Sequence, residues 1–153
     1  MRRSEKEITD RGEILGILES AKICRIALCD GSTPYIVPVN FGYCDNALYI
    51  HSAPAGKKID ILKKNNAVCF EVETGVRVVT AETACGWTTR YTSIVGYGRA
   101  EILEDRESKI EALDVLMRRH SGRDGWNYAE DKLRRMVVIK VSIDSISGKR
   151  SGV

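Results

Sequence analysis

The sequence predicts a mainly β (α+β) protein, an antiparallel barrel of six strands with a few flanking helices. Three observations predict it. Segments that alternate apolar and polar positions, rich in Val, Ile, Thr and Tyr, dominate the chain. The first of them follow one another directly, joined by turn sequences such as Asp30-Gly31-Ser32 and Asp45-Asn46. Sequential hairpins do not build a doubly wound parallel sheet, whereas closing them into a barrel removes exposed edges.

The elements follow in order. Thr9 is a suitable N-cap for a helix from about Asp10 to Ala21, in which Ile14, Leu15, Ile17, Leu18 and Ala21 recur at helical spacing. The period then changes to two. Ile23 to Asp30 and Pro34 to Tyr43 form a hairpin, and Ala47 to Ser52 extends the meander. Pro54 and Gly56 end that strand, and Ile59 and Leu62 mark a short one-sided helix over Gly56 to Asn65. Ala67 to Glu73 is the fourth strand, and Val76 to Thr80 reads as either an isolated strand or part of a loop. Arg90 to Glu104 is long and β-rich, with Gly96 and Gly98 permitting a bulge or sharp curvature. Arg106 to His120 is a helix carrying Ile110, Leu113, Val115 and Leu116, and Tyr128 to Arg135 is a short helical piece. Met136 to Ile146 closes the barrel. Residues 1–8 and 148–153 are expected to be tails of a single domain spanning 1–153.

Composition sets the bounds. A chain of 153 residues, 43% hydrophobic and 29% charged, can bury a core without disulfide or metal staples. Lys and Arg exceed Asp and Glu by only 24 to 21, which gives no ground for a nucleic-acid-wrapping role. The amino end has no apolar leader and no run is long enough for a membrane span, so a cytoplasmic protein is expected. Cys24, Cys29, Cys44, Cys69 and Cys85 include no Cys-x-x-Cys pair and read as small buried apolar residues in a reducing compartment.

There is no Gly-x-Gly-x-x-Gly opening a helix, no Gly-x-x-x-x-Gly-Lys-Ser/Thr loop and no nucleophile elbow. With only His51 and His120, a zinc site built on several histidines cannot form. The positive signal is Lys57-Lys58 in the first turn of the short helix. The positive end of a helix dipole disfavours cations, so two lysines there are misplaced unless an anion joins them. A phosphate would resolve the conflict, with Gly56 allowing close approach and Ser52 donating its hydroxyl. Solvated surface lysines are the competing reading.

Pro38, inside Val37-Pro38-Val39-Asn40, cannot donate to a ladder and implies an edge strand or an irregular backbone where a flat ligand could lie. His51 falls on the strand face opposite Leu48, Ile50 and Ser52. His120, near a helix end, reads as a cation favoured by the dipole, and Trp87 and Trp126 as loop-packing aromatics.

In this order, Tyr35-Ile36-Val37-Pro38-Val39-Asn40-Phe41-Gly42, Leu48-Tyr49-Ile50-His51-Ser52-Ala53, Gly56-Lys57-Lys58, Tyr91-Thr92-Ser93-Ile94-Val95-Gly96-Tyr97-Gly98 and Ile146-Ser147-Gly148-Lys149-Arg150 resemble the FMN-binding split-barrel superfamily of pyridoxamine 5′-phosphate oxidase. The similarity is closer to its nitroimidazole-resistance branch. The resemblance implies a six-stranded antiparallel split β-barrel, and a homodimer with FMN at the subunit interface and a small-molecule substrate. It implies that Val37, Pro38, Val39 and Asn40 line the isoalloxazine, that His51 and Ser52 flank the ribityl and phosphate region, and that Lys57 and Lys58 bind the phosphate. His51 is the candidate catalytic residue, and Ser93, Gly148, Lys149 and Arg150 would reach the flavin from the same or the partner subunit. The Arg-x-His element that holds substrate phosphate in the oxidase proper has no counterpart in Gly148-Lys149-Arg150-Ser151-Gly152-Val153. The functions implied are a flavin-dependent reductase acting on small molecules such as nitroaromatic compounds, or a flavin or haem carrier on the same barrel. A deazaflavin in place of FMN is a third alternative.

Overall fold

The structure is a computed structural model and describes residues 3–152. It contains the strands β1 (Glu7–Ile8), β2 (Cys24–Asp30), β3 (Thr33–Val39), β4 (Gly42–Cys44), β5 (Ala47–Ser52), β6 (Ala67–Val79), β7 (Thr88–Leu103) and β8 (Val137–Ser151). The α-helices are α1 (Arg11–Ser20), α2 (Lys57–Lys64), α3 (Arg106–Ser121) and α4 (Glu130–Arg134). All the pairings are antiparallel, in the order β3-β2-β6-β7-β8-β5-β4, with β1 added to β8. Its two end strands, β3 and β4, are separated in the chain only by Asn40 and Phe41, which brings the sheet's edges together. The result is a mainly antiparallel α+β split barrel.

Eight strands replace the expected six, for two local reasons. The expected strand Pro34 to Tyr43 breaks at Asn40 and Phe41, because Phe41 turns into the core with no exposure and ends the ladder there. The short β1 then pairs Glu7 with Lys149 and Ile8 with Gly148. Both expected tails are therefore corrected within the described residues: Gly148 to Ser151 continue β8, and Ile8 is buried. Val76 to Val79 is likewise no isolated strand, since β6 runs on through a register shift between Thr74 and Arg77. The N-cap of α1 is Asp10 rather than Thr9, and its carboxylate accepts from the Glu13 amide at 2.7 Å.

Two cores explain the burial. Phe41, Phe70, Ile26, Leu48, Ile50 and Ile139 fill the barrel, closed by Ile14, Ile17 and Leu18 of α1 and Ile59, Ile61 and Leu62 of α2. A second cluster, Ala112, Leu113, Leu116, Leu133 and Val138, packs α3 and α4 on the outer face of β8. Val137-Val138-Ile139 is apolar without alternation because both faces of β8 are covered there. The glycines of β7 serve close packing: a Cβ at Gly96 would run into the Phe70 ring, and one at Gly98 into the Ser142 carbonyl. The β7–β8 register shifts between Tyr97 and Gly98, where the sequence predicted curvature.

All five cysteines are free, but they are not all buried. Burial pushes the Cys24 thiol up to about 12, while Cys29 and Cys85 are exposed. Cys29 points outward because it sits an odd number of residues from Cys24 on one strand.

Candidate functional site

The site is built where β5 runs into α2. Strand alternation sends Leu48, Ile50 and Ser52 inward and leaves His51 exposed on the other face. Gly56 is the N-cap of α2 at φ 118° and ψ 169°, a conformation that L-residues rarely adopt. No side chain caps this helix, so its first N–H groups face a shallow cavity of about 350 Å³ lined by Tyr35, His51, Ser52, Gly56, Lys57 and Lys58.

The two lysines differ. Lys57 Nζ lies 3.7 Å from Asp30 Oδ2 and 5.2 Å from the centre of the Tyr35 ring. Lys58 is half-buried and has no carboxylate partner among the described residues, and desolvation holds its ammonium below the usual lysine range. Ser52 is 7% exposed and lines the same cavity. The cradle therefore offers a cation, a hydroxyl and uncapped amides without an internal anion to satisfy them all. That donor set fits a phosphate.

A second cavity of about 500 Å³ adjoins the first and shares His51 with it. Its walls include Leu113, Leu116, Leu133 and Met136, and its polar groups include Asn40 and His120. The chain's only two histidines thus line one apolar cavity. Nothing local in the sequence announces this, because β5 and the last turn of α3 meet only through the packing of α3 on the barrel.

Side chains along α3 hold the segment that follows it, part of which lines this cavity. Arg106 binds Glu130 through two donors at 2.6 and 2.8 Å, Asp114 accepts from the Tyr128 hydroxyl at 2.8 Å, and Arg118 pairs with Asp124 at 2.7 Å. The buried Lys109 ammonium donates to the carbonyls of Leu133 at 2.7 Å and Met136 at 3.3 Å. Burial, and then the Asp114 carboxylate, push the Tyr128 phenol well above its ordinary value, so it stays a donor.

The other expected site residues fall elsewhere. Asn40 lines the apolar cavity, while Val37, Pro38 and Val39 lie on the edge strand β3 and line neither cavity. Ser93 pairs directly with Lys149, and Ile94 with Gly148. Lys149 is eleven residues beyond Val138, the partner of His51, roughly 36 Å along an extended strand. Gly148 is buried against Ile8, and Arg150 pairs with Glu13. Lys149 sits over the Tyr91 ring at 5.7 Å, and its hydrogen bond holds the Tyr91 phenol below its ordinary value.

Comparison with known proteins gives consistent results. The family model described as pyridoxamine 5′-phosphate oxidase matches residues 10–150. A crystal structure from Bacteroides thetaiotaomicron VPI-5482, described as a candidate 5-nitroimidazole antibiotic resistance protein, is 36% identical, with a TM-score of 0.84 over 94% of this chain and 86% of that one. A protein of Mycobacterium smegmatis described as binding FAD and haem shares the fold, with a TM-score of 0.83 and 22% identity over 96% of this chain and 74% of that one. An uncharacterised protein of Rhizobium meliloti (strain 1021) is 34% identical over 65 residues, a match that spans 42% of each chain. No helix among the described residues is long and apolar enough to cross a membrane.

Proposed function

This chain belongs to the pyridoxamine 5′-phosphate oxidase family, and from that premise we propose that it binds FMN as a homodimer and works as a flavin-dependent reductase of small molecules such as nitroaromatic compounds. The observation that carries the flavin reading is Lys58, a half-buried cation with no acidic partner among the described residues, beside the uncapped amides of α2. Lys58, Ser52 and the Gly56 turn hold the phosphate, and Lys57 guards the rim. Bound flavin supplies the redox chemistry; the protein neutralises the phosphate, orients the ring and presents His51 to it. The likeness to the Bacteroides protein supports a nitroaromatic acceptor.

The dimer is supported by exposed apolar residues on the β6–β7 arm, where Val76, Val78 and Trp87 are more than half exposed. Within one chain Lys149, paired with Ser93, lies eleven residues along β8 from the partner of His51, and in this reading Ser93 and Lys149 serve the partner's flavin.

The test begins with saturable quenching of FMN fluorescence and mass spectrometry of the bound ligand, which separates FMN from FAD and from a deazaflavin. Stopped-flow reduction by NADH or NADPH, followed by addition of a nitroaromatic acceptor, then tests turnover. Absence of flavin binding sinks the whole reading, whereas binding without reoxidation by the acceptor leaves a carrier.

A second reading is favoured by one observation: both histidines line an apolar cavity beside the cradle. An apolar slot with imidazole at its wall and the cation Lys132 at its edge suits a haem, whose propionates need a positive partner. A Soret band on titration with haemin, lost in a His51→Ala, His120→Ala double variant, is the expected outcome.

A further inference from the structure

We propose that Arg119 and Phe41 form a clamp that positions His120 and Asn40 across the apolar cavity, making Arg119 a positioning residue for whatever ligand occupies it. The Arg119 guanidinium lies over the Phe41 ring at 4.6 Å and donates to the Ala21 carbonyl at the C-cap of α1. Phe41 has no solvent exposure, and Arg119 is partly buried. One side chain therefore ties together three separate places: the last turn of α3, the end of α1 and the break between β3 and β4.

The consequence lies one residue away on each side. His120 follows Arg119, Asn40 precedes Phe41, and both line the cavity that contains His51. Neither is fixed by a hydrogen bond of its own among the described residues. The stack is what sets their separation, because α3 and the β3–β4 corner are otherwise joined by apolar packing, which does not fix angles as a planar cation on an aromatic face does. Lysine cannot replace arginine here: it has the charge but neither the plane nor the fork that reaches Ala21.

The haemin arm of the test rests on the second functional reading, and the other arm does not. By NMR of the full chain without ligand, Phe41→Leu should shift the His120 ring signals while leaving those of His51 in place. Arg119→Met, which keeps the stem and loses the plane, should shift the Asn40 side-chain amide. Haemin should bind about tenfold or more weakly to Arg119→Met and to Arg119→Lys, with an altered Soret band. FMN affinity should stay within about twofold, since the cradle lies outside the clamp and a folding defect would lower both. Unmoved His120 and Asn40 signals overturn the clamp, as does haemin binding with wild-type affinity and spectrum in both Arg119 variants. If the NMR signals move and the wild-type protein takes no haemin, the clamp stands and the haem reading fails.

Discussion

Lys57 and Asp30 are 3.7 Å apart, so the first of two adjacent lysines already has an internal anion, and the second has none among the described residues. A charge-assisted hydrogen bond to phosphate contributes about 1.5–3 kcal/mol, roughly a tenfold to hundredfold change in affinity. Lys58→Ala should therefore weaken FMN by that factor, and Lys57→Ala by only a few-fold. Riboflavin, which lacks the phosphate, should bind both variants like the wild type. Equal losses for FMN and riboflavin would remove Lys58 from the phosphate.

The same lysine sets a pH dependence. Desolvation places the Lys58 value in the folded protein below its ordinary 10.5, so the unfolded chain holds that proton more tightly. Without ligand, folding carries this penalty while Lys58 is protonated in both states, and the penalty is relieved as pH rises between the folded and unfolded values. Bound phosphate needs the proton. FMN affinity should fall as pH rises through that window while the ligand-free protein gains stability, so the Tm values with and without FMN converge. Titrations with riboflavin alongside remove the ring's own ionisation.

Gly56 tests the cradle's backbone. A Cβ there would meet nothing within 4 Å, so Gly56→Ala does not clash and its cost is conformational, about 1–3 kcal/mol for the φ of 118°. The expected result is a Tm lower by several degrees together with weaker FMN binding, because the turn that aims the α2 amides relaxes. A stable variant with unchanged affinity would show that the turn is not needed in this form.

Much of this was legible in the sequence, for reasons of period and local chemistry. The meander Cys24–Ser52, the helix beginning at Lys57 and the opposite facing of His51 and Ser52 follow from alternation and turn residues within a few positions of one another. Pro38 pointed to either an edge strand or an irregular backbone, and β3 is an end strand of the sheet. What failed is what depends on distant partners. Val76–Val79 is a strand because β7 comes back to pair with it, Gly148–Ser151 because β7 pairs along it and β1 joins at Gly148 and Lys149, and His120 is a cavity residue because α3 packs near β5. The polar tail looked solvated by composition, but backbone pairing with β7, and with β1 at Gly148 and Lys149, holds it as a strand whatever its side chains.

Lys109 is 7% exposed without a carboxylate partner among the described residues, and its ammonium is held by two carbonyls at the end of α4. Lys109→Met keeps the stem and leaves those carbonyls unpaired, at about 1–3 kcal/mol of stability. Urea unfolding should show the loss, and hydrogen exchange should rise first in Glu130–Arg134 and its flanks, the segment this residue fastens over the apolar cavity. A global loss with no local excess in exchange would make Lys109 an ordinary core residue.

Lys149 lies eleven residues along β8 from Val138, the partner of His51, roughly 36 Å of strand contour away from the end that carries the Lys58 cradle. If both serve one flavin from different subunits, two defective chains should repair each other. Lys58→Ala lacks the cradle and Lys149→Ala lacks the far end, so each alone binds FMN poorly. In a dimer of one chain of each kind, one site combines two intact halves and the other combines both defects. Random mixing makes half of the dimers mixed, so about a quarter of all sites should recover wild-type affinity. Recovery near that fraction, rising with unfolding and refolding of the mixture, supports the shared site. No recovery, with mixed dimers shown by mass spectrometry, assigns each flavin to a single chain and removes Lys149 from it.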